Sequence, residues 1–340
     1  MPHPEAFFMF IPSEENATRL KKSISRDFLQ SLASLSGNKL LSEKSKKILL
    51  DIAGSHTPNR VINPLCFIAY SAMFFSLLKE ESTKANLYCN TLDTNQLYSD
   101  SLYAYKFSSV TCENIQQVAY DLLHLDSHVI FKNVPGAIIT QFNQNNDIII
   151  KELLDFVPGF KQEIIDLIGS IYLIDVTFRP SEVGLKFFGS ASSPLMFGGI
   201  FANTHSPIEL VDQVELILHE TAHTVLFALT QYDSLTKDDG ALIYDSPLRD
   251  DPRSLEGVFH ATWVSARLAL FYHLNVSNPE PFFRSMTDNE RLKFHLKAVN
   301  AGLKVLNPNS NILSAKGNEL LDDMVGGLIG YNLISPKTIQ

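Results

Sequence analysis

Ser206-Pro207-Ile208-Glu209-Leu210-Val211-Asp212-Gln213-Val214-Glu215-Leu216-Ile217-Leu218-His219-Glu220-Thr221-Ala222-His223 combines a capped start, an apolar and acidic middle and an H-E-x-x-H end. Ser206 suits a helix N-cap, Pro207 the first helical position, and Glu209 the matching position of a capping box. Nothing from there to about Leu229 breaks a helix, so one helix is expected over the whole run. His219 and His223 stand four residues apart. They therefore project from one face about one turn apart, and two imidazoles so placed can reach one metal ion. Glu220 points about a third of a turn away, where it can meet a metal-bound water or a neighbouring group.

The plain alternative is two histidines on the exposed face of an amphipathic helix. Leu216, Ile217, Leu218, Val225, Leu226 and Phe227 argue against it. They make the helix apolar nearly all round, as a buried helix is. Buried histidines beside a glutamate need partners, and a metal supplies them. With ten histidines in 340 residues, a chance H-E-x-x-H is also rare.

The length gives room for one large or two ordinary domains. Hydrophobic residues make up 45% of the chain and charged residues 19%, which allows a sizeable core. A net charge of -9 without a long Lys/Arg cluster argues against nucleic acid and against an anionic membrane surface. Cys66, Cys89 and Cys112 form no C-x-x-C. That suits a reducing cytoplasm and offers no thiolate metal site. Met1 to Pro12 lacks a basic segment followed by an apolar one, so no signal peptide is expected. The longest apolar run, Leu65 to Leu78, is too short to span a bilayer and suits a core helix. The location expected is cytoplasmic, with no membrane partner.

Periodicity predicts helices over Ala17–Leu35, Leu40–Ile52, Leu65–Leu78, Asn114–Leu125, Asn146–Phe156, Phe160–Ile168, Ser254–Leu274, Asn289–Leu306 and Asn318–Leu328. Residues 82 to 112 are expected to be loop or irregular. Ala137-Ile138-Ile139 suggests a short strand, and Ile171–Phe178 and Met196–Asn203 are stronger ones. Leu185–Phe188 is a candidate short partner, and Gly189–Pro194 a small-residue loop. The glycine pair in Met196–Asn203 marks a place where another backbone approaches closely. His124, His128, His273 and His295 have no paired ligand nearby and are expected to be structural. The expected fold is α+β and predominantly helical, with a small β-sheet beside the H-E-x-x-H helix in a zincin-like local arrangement. Residues 1–150 form a helical N-terminal region and 151–340 the metal-site region.

Two histidines rarely complete a working site; three protein ligands with open positions are usual. Glu256 and His260 are the downstream candidates. The metzincin spacing fails, because Leu226 and Leu229 stand where it wants glycine and histidine. A glutamate would make a gluzincin-like zinc hydrolase. His260 lies between Phe259 and Ala261 with Trp263 beyond. A buried histidine is the better ligand there, so His260 is first and Glu256 second.

Residues 192 to 268 carry Ser192-Ser193-Pro194, Gly198-Gly199-Ile200-Phe201 and His219-Glu220-Thr221-Ala222-His223. They continue with Ser246-Pro247-Leu248-Arg249 and Pro252-Arg253-Ser254-Leu255-Glu256-Gly257-Val258-Phe259-His260. This combination resembles the H-E-x-x-H peptide-modification proteins found beside gene clusters for ribosomally made peptide natural products. The departure is Arg253-Ser254, where Arg-Pro is expected. The resemblance covers under a quarter of the chain. It implies an Fe(II)- and 2-oxoglutarate-dependent oxygenase that β-hydroxylates a residue of a precursor peptide. The metal would be held by His219, His223 and His260. The distal carboxylate of 2-oxoglutarate needs a planar two-pronged partner, an arginine's task. Arg253 is the first choice, Arg267 the second and Arg249 the third, with Tyr244 and Ser246 lining the co-substrate or peptide pocket. In this scheme Glu220 orients a ligand or a water. The competing scheme is a zinc peptidase with Glu220 as general base. An extended peptide along the edge of Met196–Asn203 serves either. A silent peptide-binding scaffold is the third alternative.

Overall fold

The structure, a computed structural model, describes residues 9–55, 60–92, 97–99, 104–106, 129–132, 134–178, 189–204, 208–237, 241, 243–275 and 290–336. α1 spans Glu14–Leu35. α2 (Glu43–Gly54) starts behind Ser42, whose hydroxyl accepts from the Ser45 N–H at 3.2 Å. β1 (Val61–Ile62) leads to Asn63, whose side chain accepts from the Leu65 N–H at 3.0 Å. With Pro64 preset in the first turn, α3 (Pro64–Leu78) follows. The apolar run there is the core helix its sequence predicts, with Cys66, Ile68, Ala69, Ala72 and Met73 buried.

Two expectations in this half are overturned. Residues 82–112 are not all irregular, because α4 (Ser82–Cys89) lies among them. Only Ala85 and Cys89 are buried in it, so the polar remainder masks the period. Ala137-Ile138-Ile139 is no strand but the first turn of α5 (Gly136–Lys151). Ile138, Phe142, Asn146 and Ile149 are buried at helical spacing, so the three apolar residues begin a helical stripe. β2 (Tyr98–Ser99), β3 (Ala104–Lys106) and β4 (Val129–Lys132) fall between these helices. The helix expected at 114–125, His124, His128, Cys112 and the short strand expected at 185–188 lie outside the described residues.

α6 (Pro158–Leu167) leads into β5 (Ser170–Phe178), followed by β6 (Ser190–Ser192) and β7 (Gly199–Asn203). β5 pairs in parallel with β3 and β7 and antiparallel with β4, and β6 pairs antiparallel with β7. The result is a mixed five-stranded sheet, with β1 and β2 a separate antiparallel pair. Tyr172 stands opposite Phe201. Their rings lie 5.6 Å apart in the core with Phe28, Leu49, Ile68 and Met73. Each such buried side chain contributes about 1.5–3 kcal/mol. Gly198 has φ +77°, and a Cβ there would sit 2.4 Å from the Leu167 carbonyl oxygen. The close backbone approach expected of the glycine pair is therefore found. Gly189–Pro194 is not simply a loop, since it contains β6.

The helices α7 (Leu210–Leu229), α8 (Leu255–Asn275), α9 (Glu290–Leu306) and α10 (Ala315–Gly330) complete the described α-helices. The fold is α+β and predominantly helical, as its periodicities predict. It divides into two compact units. One comprises Met1–Asn16, Leu154–Lys161 and Val225–Gln340; the other comprises Ala17–Leu153 and Gln162–Thr224. In the first, α8 buries Phe259, Trp263, Arg267 and Phe271. α9 approaches α8 so closely that a Cβ on Gly302 would overlap the Thr262 side chain. The second holds the sheet, its core cluster and the segment of α7 that ends at Thr224. Among the described residues no helix is long and apolar enough to cross a membrane.

Candidate metal centre

α7 begins at Leu210, so Glu209 precedes the helix instead of occupying its first turns. The Glu209 carbonyl accepts from the Gln213 N–H at 3.0 Å. The capping box expected around it is not formed by Glu209, and Ser206 and Pro207 lie outside the described residues. A different device anchors this end. Gln213 is fully buried, and its amide nitrogen donates to the Phe142 carbonyl at 2.8 Å and to Asn146 Oδ1 at 2.6 Å. Its oxygen accepts from Asn145 Nδ2 at 3.0 Å. α7 is thereby fixed in register against α5.

Further along, Thr221 and Thr224 turn their hydroxyls back to the Ile217 and Glu220 carbonyls at 2.7 and 2.9 Å. Buried threonines are tolerated in a helix when satisfied in this way. Val214, Ile217, Leu218, Ala222, Val225 and Leu226 are buried around them. His219 and His223 are each half-buried. Their ring centroids lie 5.0 Å apart at 64° to one another, so the two imidazoles are gathered as the four-residue spacing predicts.

Glu220 is 2% exposed. Its Oε1 accepts from the Ser190 hydroxyl of β6 at 2.6 Å. Its Oε2 is buried without a hydrogen-bond partner among the described residues. Sequence reasoning missed Ser190, because a hydroxyl in a small-residue run gives no sign of a partner thirty positions on.

The downstream candidates fall into two groups. Glu256 and His260 face each other along α8, with His260 Nε2 3.9 Å from Glu256 Oε1. Burial pushes the His260 imidazole down to about 4, so this contact joins a carboxylate to a neutral ring and is not an ion pair at neutral pH. The His260 ring also lies against Phe227, centroids 5.5 Å apart. On α7 Phe227 is one turn beyond His223, along the stripe that carries both histidines.

Tyr244 and Arg253 form the second group. Their backbones pair as an isolated antiparallel bridge, with N–H to carbonyl distances of 3.0 and 2.9 Å. Arg253 Nη2 meets Asp251 Oδ2 at 2.8 Å, and its Nε is buried without a hydrogen-bond partner among the described residues. Ser254 caps α8 by accepting from the Gly257 N–H at 3.1 Å. Ser246 accepts from the Leu248 N–H at 3.4 Å, and Arg249 is exposed. Arg267 is buried; its Nη1 donates to the Phe10 carbonyl at 2.7 Å, and its guanidinium lies over the Phe160 and Trp263 rings. His295 is buried with its ring stacked on Tyr272, as a structural histidine is.

Among the described residues no group of three or more His, Cys, Asp or Glu side chains is assembled to hold a metal. The pair on α7 supplies two donors. The strand expected to offer a peptide its edge does not do so: β7 has β5 on one side and β6 on the other. Among the described residues the outer strand on that side is β6. No model of a known protein family matches the chain, and no curated protein resembles it significantly.

Proposed function

We propose that the chain is an Fe(II)- and 2-oxoglutarate-dependent oxygenase that hydroxylates a side chain of a ribosomally made precursor peptide, with His219, His223 and His260 as metal ligands. The observation that carries a metal is Glu220 beside the histidine pair. A carboxylate so buried, with one oxygen unpartnered, is costly unless a positive charge compensates it. A cation on the adjacent imidazoles does so, and the paired rings of His219 and His223 fit such a cation. Burial holds the His260 imidazole below its ordinary value, and the neutral ring is the form a metal takes.

Imidazoles accept Zn(II) and Fe(II) alike. The choice of iron and 2-oxoglutarate rests on the resemblance of residues 192–268. Iron held by these residues would supply oxidative decarboxylation of 2-oxoglutarate by dioxygen, one oxygen atom ending in succinate beside carbon dioxide and the other in the hydroxylated peptide. The protein's own groups bind and orient. Arg253 takes the distal carboxylate of 2-oxoglutarate, because its Nε has no hydrogen-bond partner among the described residues and its contact with Asp251 uses only one prong. Tyr244 is held beside it by the backbone bridge. Arg267 ranks lower because its guanidinium is already bonded to Phe10 and covered by aromatic rings. Arg249 and Ser246 complete the candidate co-substrate residues.

A zinc peptidase is the second reading, and the same carboxylate favours it: an unpartnered Oε2 is what a general base needs. The two are separated by loading the protein anaerobically with Fe(II) and 2-oxoglutarate and then admitting oxygen. The oxygenase forms succinate in an oxygen-dependent way even without peptide, and loses this in His219→Ala. Zn(II)-dependent cleavage of denatured casein that ignores oxygen, and falls by about 10²–10⁴-fold in Glu220→Gln, would instead establish the peptidase.

A further inference from the structure

Ser190 is fixed by strand register. It stands opposite Ala202 of β7, and Ser192 opposite Ile200. Alternation along β6 puts both serines on one face and Ala191 on the other. The serine face is turned to α7, because the Ser190 hydroxyl reaches Glu220 Oε1 at 2.6 Å. That length belongs to the strong class of hydroxyl-to-carboxylate bonds. The terminal torsion of a glutamate is broad, so one held oxygen sets the direction of the other. Glu220 is 2% exposed, and among the described residues Oε2 has no hydrogen-bond partner.

We propose that Ser190 is a positioning residue, whose hydroxyl holds the Glu220 carboxylate so that Oε2 is presented to a hydrogen-bond donor bound at the metal of His219 and His223. This rests on the metal-dependent reading above. It adds to the α7 motif a residue from the sheet, and it gives β6 a role in tuning the metal. Partners of this kind alter metal affinity by about 10–100-fold without themselves touching the metal. A bond that only fastened β6 to α7 would alter stability and leave the metal's surroundings unchanged.

Anaerobic titration with Co(II) distinguishes these. Cobalt reports its ligand field in the visible range and needs no substrate. Wild type, Ser190→Ala, Ser190→Cys, Ser190→Thr, Glu220→Gln and the Ser190→Ala/Glu220→Gln double variant are compared for stoichiometry, affinity and spectrum. Ser190→Ala is expected to keep the wild-type stoichiometry, bind about tenfold more weakly, and shift the visible bands in the direction that Glu220→Gln does. Ser190→Thr restores the wild-type spectrum, and the double variant shifts no further than Glu220→Gln. Should Ser190→Ala fail to fold, Ser190→Cys carries the comparison, since a thiol is a weak donor of nearly the same shape. A wild-type spectrum and affinity in Ser190→Ala, or in Ser190→Cys in its place, with Glu220→Gln shifted, overturns the positioning role while leaving the metal reading intact. Failure of the wild-type protein to bind cobalt overturns the metal reading and this inference with it.

Discussion

The ring of Phe227 lies against that of His260, centroids 5.5 Å apart, and burial pushes the imidazole from the ordinary 6.5 to about 4. The folded protein therefore binds the proton less readily than the unfolded chain. By linkage, the stability that this neutral ring contributes is fully present above about 6.5 and is lost as pH falls through about 4. Urea midpoints of the metal-free protein across that window should fall with acid, and His260→Phe should flatten the slope. An unchanged slope in His260→Phe would show that the ring does not titrate as its burial requires.

Gln213 ties α7 to α5 through three hydrogen bonds in a fully buried setting. Gln213→Ala removes the buried donor to the Phe142 carbonyl and the Asn146 side chain. It should cost about 1–3 kcal/mol, read as a lower urea midpoint with the same slope. Weaker metal binding should accompany it, because the helix that carries His219 and His223 loses its register.

Gly198 sits at φ +77° with the Leu167 carbonyl where a side chain would go. Gly198→Ala faces both backbone strain and overlap. It should destabilise the protein by more than the roughly 0.5 kcal/mol that an ordinary surface substitution reaches, read as a lower melting temperature. A neutral effect would contradict the close packing of β7 on the end of α6.

These positions show where the sequence was informative and where it was not. The body of α7 and the histidine pair are local matters of spacing, and a run without helix breakers settles them. α3 was equally clear, because fourteen successive apolar or small residues from Leu65 to Leu78 leave no polar face. Ala137-Ile138-Ile139 misled because three apolar residues fit period 2 and period 3.6 alike; only Phe142, Asn146 and Ile149 beyond them decide for a helix. α4 was hidden because it buries only Ala85 and Cys89. The helix start at Leu210 depends on Gln213 finding Phe142 and Asn146, and Glu220 depends on Ser190. Such partners are brought together by folding, and neither residue's neighbours in sequence announce them. The place of β6 at the edge, among the described residues, is likewise a property of the assembled sheet.

Arg253 offers a planar guanidinium of which one prong is engaged by Asp251. Arg253→Lys keeps the charge but cannot reproduce a two-pronged contact. Calorimetric titration of the anaerobic iron-loaded protein with 2-oxoglutarate should show about tenfold weaker binding in Arg253→Lys, on the order of 1.4 kcal/mol, and no measurable binding in Arg253→Ala. Unaltered affinity in Arg253→Ala would remove Arg253 from the co-substrate site and turn attention to Arg267 and Arg249.

In the proposed site the imidazoles of His219 and His223, with that of His260, hold one metal ion. The most direct test is elemental analysis after anaerobic equilibrium dialysis against Fe(II), carried out on the wild type and on His219→Ala, His223→Ala and His260→Ala, each first shown to be folded by circular dichroism. About one equivalent of iron is expected in the wild type, as one three-ligand site requires, and little or none in each variant. A full equivalent retained by His219→Ala and His223→Ala would contradict it.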